Sequence, residues 1–248
     1  AVIKSVWFLV LLLGHLLGDF IFQTPSLAKK KADNLFYVLL HGGIYALCMA
    51  GILLAAFPFS FALLYVGLLA ALTHLAVDLV KFFLSRQKEL ANTHAAALFL
   101  GDQAAHLLIL LALSLSLGDG ALSLRAWPDP VAASLAFTTE ELLKAVLLLL
   151  LAGKPANLLF LTLFRKFRPQ KDGQEEVKNA GAPIGTLERI VMMVMLCLEQ
   201  YAAVGLVLTA KSIARYDRIS KEPRFAEYYL LGTLTSLFYS VAAVFLLW

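Results

Sequence analysis

Charged residues are scarce in this chain of 248 residues: 15% of them are charged, whereas 60% are hydrophobic. Soluble domains carry about 25% charged and roughly 45–50% apolar residues. This deficit excludes an ordinary soluble domain. The charges are also bunched between long apolar runs, which is typical of a multi-pass membrane protein.

Cysteine is nearly absent too. Cys48 and Cys197 both lie inside apolar runs, so the sequence has neither a disulfide framework nor a thiolate metal motif. The formal net charge of +4 is small, and the basic residues at 29–31 stand beside an apolar run, where such residues set membrane orientation. We therefore predict membrane lipids as partners and no binding to nucleic acid.

Long apolar runs predict the helices that span the membrane, since a span needs about 20 such residues. The runs lie at residues 2–23, 35–57, 60–83, 95–117, 139–163, 184–209 and 227–247. Pro155 predicts that 139–163 is kinked or split into two half-helices. The predicted fold class is all-α, a polytopic transmembrane helix bundle of about six to seven spans.

Basic residues orient this bundle, because Lys and Arg concentrate in cytoplasmic loops. They follow the first, third and fifth apolar runs, which predicts an external N-terminus and a cytoplasmic loop 24–34. Residues 210–225, "AKSIARYDRISKEPRF", are also basic but fall outside in a seven-span arrangement. Either 139–163 does not fully cross, or these cations are held there for a purpose.

Three of the five histidines have an aspartate four residues away, a spacing that places both side chains on one helix face. The pairs are His15/Asp19, His74/Asp78 and Asp102/His106. In the predicted orientation each aspartate lies nearer the cytoplasmic face than its histidine. His41 falls in the same layer, and Gln103, beside Asp102, is a candidate for orienting a ligand.

Seven such groups in a low-dielectric bundle need compensation, and a divalent metal supplies it. Imidazole and carboxylate suit Zn, Mn or Fe, and seven ligands suffice for one or two ions. The predicted ligands are His15, Asp19, His41, His74, Asp78, Asp102 and His106. Asp19, Asp78 and Asp102 are the predicted catalytic residues, because a carboxylate that is not a ligand can act as general base. A buried His–Asp hydrogen-bond network and a proton relay remain alternatives.

Domain organisation follows from these assignments. Residues 1–117 are predicted as a four-helix metal-binding bundle and 118–138 as an external loop rich in turn-forming residues. Residues 139–248 are predicted as C-terminal transmembrane helices with a basic interfacial segment.

A second set of charged residues lies in the C-terminal half. Lys211 and Arg215 stand one turn apart at a membrane boundary, and Glu188 and Arg189 open the sixth helix. Ammonium and guanidinium groups suit phosphate or carboxylate. We predict that all four residues bind substrate, that Lys211 and Arg215 clamp an anionic group of it, and that these two cations serve the same site as the histidines.

Several motifs carry a family resemblance. They are "GHLLGDFIFQ", "THLAVDLVK", "GDQAAH", "GTLERI", "GLVLTAKSIARY" and "EYYLLGTLTS". Together they resemble the bacterial membrane proteins grouped as domain-of-unknown-function family number 3307, over almost the whole chain. The paired His and Asp residues also resemble the membrane-bound metal-dependent hydrolases of bacteria. That resemblance implies a hydrolase of the bacterial inner membrane, acting on a phosphate-bearing or lipid-like substrate.

The distribution of polar residues separates the candidate functions. A divalent cation or proton transporter needs polar groups leading to both faces, but the outer halves of the first four predicted helices are almost purely apolar. This favours a site open to one side, and hence a metal-dependent hydrolase. A metal-stapled structural or regulatory membrane protein is the other alternative.

Overall fold

The computed structural model describes residues 5–86, 94–117, 138–168 and 181–248. Within these ranges every regular element is a helix and no strand occurs, which confirms the all-α prediction. The chain divides into two compact units, Ala1–Leu147 and Leu148–Trp248. The predicted external loop 118–138 lies outside the described residues except for Thr138.

The described residues of the first unit up to residue 117 form five helices and a π-helical turn. They are α1 (Val6–His15), the π turn (Leu16–Ile21), α2 (Pro25–Asp33), α3 (Leu35–Ala56), α4 (Phe61–Ser85) and α5 (Ala95–Ser116). The side-chain oxygens of Ser5, Thr24, Asn34 and Ser60 each accept a backbone N–H from the first turn of a helix. Such caps satisfy donors that a helix leaves free. The predicted spans 35–57, 60–83 and 95–117 are confirmed to within two residues at each end.

The first predicted span, 2–23, is helical from Val6 to Ile21 but changes character after His15. The backbone N–H of Phe22 donates to the carbonyl of Leu17, five residues back, at 2.8 Å, as in a π-helix. Thr24 then caps α2, with Pro25 in its first turn. The axis turns by 83° between Val6–Ile21 and α2, so α2 runs across the end of the bundle.

Apolar side chains fill the other end of the first unit. The rings of Trp7 and Phe57 stack with centroids 4.1 Å apart, and Leu9, Met49 and Leu53 are at most 1% exposed. Among the described residues, this end holds no cluster of buried ionisable groups. The polar layer predicted from sequence is therefore confined to one end of the bundle.

The remaining helices run from residue 139 to residue 247. They are α6 (Thr139–Ala152), α7 (Lys154–Leu163), a 3₁₀ turn (Arg165–Phe167), α8 (Gly181–Cys197), α9 (Tyr201–Ala214), α10 (Tyr216–Lys221) and α11 (Pro223–Leu247). α6 and α7 are separated only at Gly153, with Pro155 in the first turn of α7. This confirms the predicted break in 139–163. Five helical segments of the described chain are long and apolar enough to cross a membrane, or six if the bent first segment counts as one.

The predicted single span at 184–209 is wrong. Glu199 has a φ of 58°, a left-handed conformation that an α-helix does not accommodate, and the chain reverses between α8 and α9. Lys211 Nζ lies 2.6 Å from Glu188 Oε2, which joins the last turn of α9 to the middle of α8. With 17 and 14 residues, the two helices reach only about 25 Å and 21 Å. They form a helical hairpin shorter than a hydrocarbon core of about 30 Å.

The hairpin removes the conflict over the basic segment 210–225. Its second helix returns toward the side on which the first began, as the contact between Lys211 and Glu188 shows. α11 runs antiparallel to α7 and the last residues of α6, with Tyr228 near Phe160 at 5.3 Å between ring centroids and Tyr239 donating to the carbonyl of Leu151. The exception to the seven-span arrangement therefore lies in 181–214, whereas the two explanations offered from sequence were a partial crossing of 139–163 and a functional role for the cations.

Cysteine labelling of intact cells tests this topology. In a variant lacking Cys48 and Cys197, an impermeant maleimide should label Phe59→Cys, in the turn between α3 and α4. It should label Ala32→Cys and Ser220→Cys only after permeabilisation, because the positive-inside rule places the basic segments on the cytoplasmic side in this topology. Labelling of Ser220→Cys together with Phe59→Cys in intact cells would mean that 181–214 crosses the membrane.

Candidate metal centre

Seven ionisable side chains meet at one end of the first unit, and each residue is at most 5% exposed. α1 and the π turn carry two of them, α3 one, and α4 and α5 two each. They are His15, Asp19, His41, His74, Asp78, Asp102 and His106. The residues predicted to share one depth on four segments thus form a single buried cluster.

Three metal-ligand atoms in this cluster, on His41, His74 and Asp78, are mutually spaced like a ligand shell, and a fourth, on Asp19, adjoins His41. His41 Nε2 lies 3.2 Å from Asp19 Oδ1, 3.3 Å from His74 Nε2 and 3.5 Å from Asp78 Oδ2. His74 Nε2 lies 3.4 Å from Asp78 Oδ2. Ligands about 2.1 Å from a tetrahedral ion are separated by roughly 3.4 Å. A neutral imidazole nitrogen has one proton or one lone pair, so it cannot satisfy three such neighbours by hydrogen bonds alone.

The cluster contains two overlapping groups that could hold an ion. Asp19, His41 and His74 form the first; His74, Asp78 and His106 form the second, and within each group the ligand atoms all lie within 4.8 Å of one another. His74 belongs to both. Five of the seven predicted ligands are therefore members of a group, and His15 and Asp102 lie beside them.

The predicted pairs differ in how their partners meet. His74 contacts Asp78 at 3.4 Å, and His106 contacts Asp102 at 3.5 Å. Asp19, carried by the π turn, reaches His41 of α3. His15 packs its ring 5.2 Å from that of His106, and its buried nitrogens have no hydrogen-bond partner among the described residues. The extra residue in the π turn changes which histidine Asp19 meets, which four-residue spacing could not predict.

Ring stacking orients the central histidine. The His74 ring lies between Tyr45, at 3.6 Å and 3° between ring planes, and His106, at 4.2 Å and 23°. The Nδ1 atom of His74 has no hydrogen-bond partner in the described part of the chain. The stack holds the His74 ring without the acceptor that usually orients a histidine in a metal site.

Three side chains outside the predicted ligand set complete the site. Gln103 Nε2 donates to Asp19 Oδ2 at 3.0 Å and to Asp102 Oδ2 at 3.2 Å, as its position beside Asp102 suggested. Lys31 Nζ donates to both oxygens of Asp78 at 2.9 Å, and Lys81 Nζ donates to Asp102 Oδ2 at 2.6 Å. The sequence analysis assigned the lysines to membrane orientation alone, because nothing in a basic cluster indicates which side chain turns inward.

Gly18 provides a test of the packing around this stack. A Cβ atom there would lie 2.8 Å from Tyr45 Cδ2, whereas one at Gly43 would meet nothing within 4 Å. Gly18→Ala should displace Tyr45 and lower the free energy of unfolding by about 1–3 kcal/mol. It should also weaken metal binding by about tenfold. Gly43→Ala is the matched control, and equal melting temperatures and metal contents for both variants would contradict the stacking argument.

In the second unit, the predicted substrate-binding residues lie in different surroundings. Glu188 and Lys211 contact each other at 2.6 Å, Arg215 is exposed, and Arg189 is only 4% exposed. That Lys211 and Arg215 serve the histidine cluster stays a prediction.

Arg189 bonds to neutral groups at the break between α6 and α7. Its Nε donates to the carbonyl of Ala152 at 2.7 Å, and its Nη2 donates to Asn157 Oδ1 at 2.5 Å. Tyr239 donates to the carbonyl of Leu151 at 3.1 Å. Pro155 has no N–H to offer Leu151, and a helix end leaves its last carbonyls free. The two side chains therefore replace backbone donors, in a polar network that the sequence analysis did not predict.

Comparison with known proteins identifies one family match. The model of a family described as "Protein of unknown function (DUF3307)" matches residues 7–133, a range that includes all seven residues of the cluster. No curated protein and no solved structure matches the chain.

Proposed function

The chain belongs to the family described as "Protein of unknown function (DUF3307)", and from the geometry of its buried cluster we propose that it is a membrane-embedded, metal-dependent hydrolase. The observation that carries the proposal is the convergence of Asp19, His41, His74 and Asp78, with neighbouring donor atoms 3.2–3.5 Å apart. Neutral imidazoles and carboxylates together suit one or two ions of Zn, Mn or Fe.

The location of the cluster favours catalysis over ion transport. A transport path needs polar groups on both sides of a central site, whereas the far end of this unit is packed with residues such as Trp7, Leu9, Leu53 and Phe57. A site that is reached from one end of the bundle suits a reaction on a substrate that approaches from that side of the membrane. In the orientation predicted from the basic loops, that side is the cytoplasmic face of the bacterial inner membrane.

The residues divide into two roles. Asp19 and Asp78 belong to the ligand groups. Gln103, which belongs to neither group, donates a hydrogen bond to Asp19. Asp102 belongs to neither group, and its Oδ1 lies 3.5 Å from His106 Nε2. We assign it to accept the proton of an attacking water. A divalent ion held by the ligand groups would lower the pKa of such a water and polarise the ester bond of the substrate. A lipid-like or phosphate-bearing substrate fits a site at the depth of the headgroups.

Hydrolysis by the purified protein tests the proposal. With Mn²⁺ in detergent micelles, the wild type should release phosphate from phosphatidic acid or a soluble aryl phosphate, and chelation should stop the release. Asp102→Asn should lower the rate by about 10²-fold or more while metal content is retained. His94→Ala is the control, because His94 is exposed.

Two results would contradict this function. Bound metal without hydrolysis, combined with ion uptake into proteoliposomes, would identify a transporter. Bound metal with neither activity would identify a structural ion.

A further inference from the structure

Two lysine side chains form the outer edge of the buried cluster. Lys31 contacts Asp78 and Lys81 contacts Asp102. The lysine side chains are 13% and 32% exposed, whereas the two aspartate side chains are 1% and 2% exposed. A ligand that enters from this side therefore meets the ammonium groups before it meets the carboxylates.

The lysines come from separate helices and cross to their partners. Lys31 lies on α2, none of whose nine residues is buried, and it reaches α4. Lys81 lies on α4, one turn beyond Asp78, and it reaches α5. Each contact joins residues distant in the chain, so the two ammonium groups stand at the edge of the cluster because of the tertiary fold.

The charge of the site changes sign when an ion binds. With neutral histidines, the three carboxylates and two ammonium groups carry a formal charge of −1. A divalent cation changes this to +1. In surroundings of low dielectric constant an unbalanced charge is costly, so a metal-loaded site favours an anionic ligand.

Binding of an ion also frees hydrogen-bonding capacity on Lys31. This ammonium group donates to both oxygens of Asp78, one of which has the spacing of a metal ligand. An ion that takes this oxygen competes with Lys31, which has three N–H donors. At least one of them is then available beside the ion.

We infer that Lys31 and Lys81 bind the terminal oxygens of a phosphate monoester at this site, an inference that rests on the proposed function. A phosphate monoester offers three terminal oxygens, one for the ion and one for each lysine, whereas a carboxylate offers two. Ammonium groups bind phosphate as compact point charges with several donors. The lysines are thus the residues that select substrate, and the anion site lies within the first unit.

Phosphate binding to the metal-loaded protein tests this inference. Wild type and variants are placed in phosphatidylcholine nanodiscs and loaded with Mn²⁺, and the binding of inorganic phosphate is measured by calorimetry. Lys31→Met and Lys81→Met should each weaken binding by about tenfold or more. Lys31→Met should keep or raise its Mn²⁺ content, because a competitor for Asp78 is removed. Lys31→Arg, which retains the charge, should bind phosphate within a few-fold of the wild type.

Lys29→Met is the matched control, since Lys29 lies on the same helix and is exposed. Nanodiscs that contain phosphatidic acid identify the source of the phosphate. If the site takes a lipid headgroup, phosphatidic acid in the nanodisc lowers the apparent affinity of the wild type for inorganic phosphate; if the site takes a water-soluble phosphate ester, phosphatidic acid leaves that affinity unchanged.

Unchanged phosphate affinity in both methionine variants, with Mn²⁺ bound, would overturn the inference and leave the metal site intact. Loss of Mn²⁺ from folded Lys31→Met would overturn it as well, because Lys31 would then support the ion. A wild type that binds no metal would contradict the proposed function itself.

Discussion

His74→Ala should abolish metal binding. His74 belongs to both ligand groups, and its Nε2 lies 3.3 Å and 3.4 Å from the nearest atoms of His41 and Asp78. Removing a shared ligand leaves neither group with three donors, so affinity should fall by more than about 100-fold. Elemental analysis after dialysis should find about one or two ions per wild-type chain and almost none in the variant.

His94→Ala is the control for this experiment, since it removes an exposed histidine from the same protein. Its metal content should equal that of the wild type. Thermal unfolding provides a second readout: an ion at 100 times its dissociation constant stabilises a folded protein by about 2.7 kcal/mol. Added Mn²⁺ should therefore raise the melting temperature of wild type and His94→Ala but not that of His74→Ala. If the wild type is folded and metal-free, the cluster is a hydrogen-bond network that fixes helix packing.

Arg189→Met should destabilise the second unit. The substitution keeps an unbranched side chain but leaves the Ala152 carbonyl and Asn157 Oδ1 without the donors that Arg189 supplies. Buried acceptors without partners cost roughly 1–3 kcal/mol each, and the loss of a buried charge offsets part of this. We expect the free energy of unfolding to fall by about 2–3 kcal/mol, measured by thermal unfolding in detergent.

Two further variants separate the contributions of charge and geometry at Arg189. Arg189→Lys keeps the charge but not the planar guanidinium that bonds two acceptors, so it should recover only part of the stability. Arg224→Met removes an exposed arginine of α11 and should change stability by less than about 0.5 kcal/mol. Full recovery of stability in Arg189→Lys would show that charge alone matters. Unchanged stability in Arg189→Met would mean that the acceptors find other hydrogen-bond partners.

The membrane-length helices could be read from composition, because a bilayer sets the length of an apolar run. The structure places α3, α4 and α5 within two residues of the predicted bounds. The same reasoning failed at 184–209, where hydropathy alone does not distinguish one long helix from two short ones. The reversal depends on the left-handed backbone of Glu199 and on the ion pair between Glu188 and Lys211, both of which are properties of the folded chain.

The sequence by itself determined which side chains form the cluster. Spacing places His and Asp on one face of a helix, and the distribution of basic residues gives the direction in which each of the four segments crosses the membrane. The shared depth of the cluster therefore follows from local patterns. Only the tertiary structure decided the pairing within the cluster. The π turn directs Asp19 toward His41, and the bend before α2 brings Lys31 onto Asp78. Periodicity and hydropathy belong to each segment, whereas the rotation of one helix against another, and the side chain that crosses between them, depend on packing.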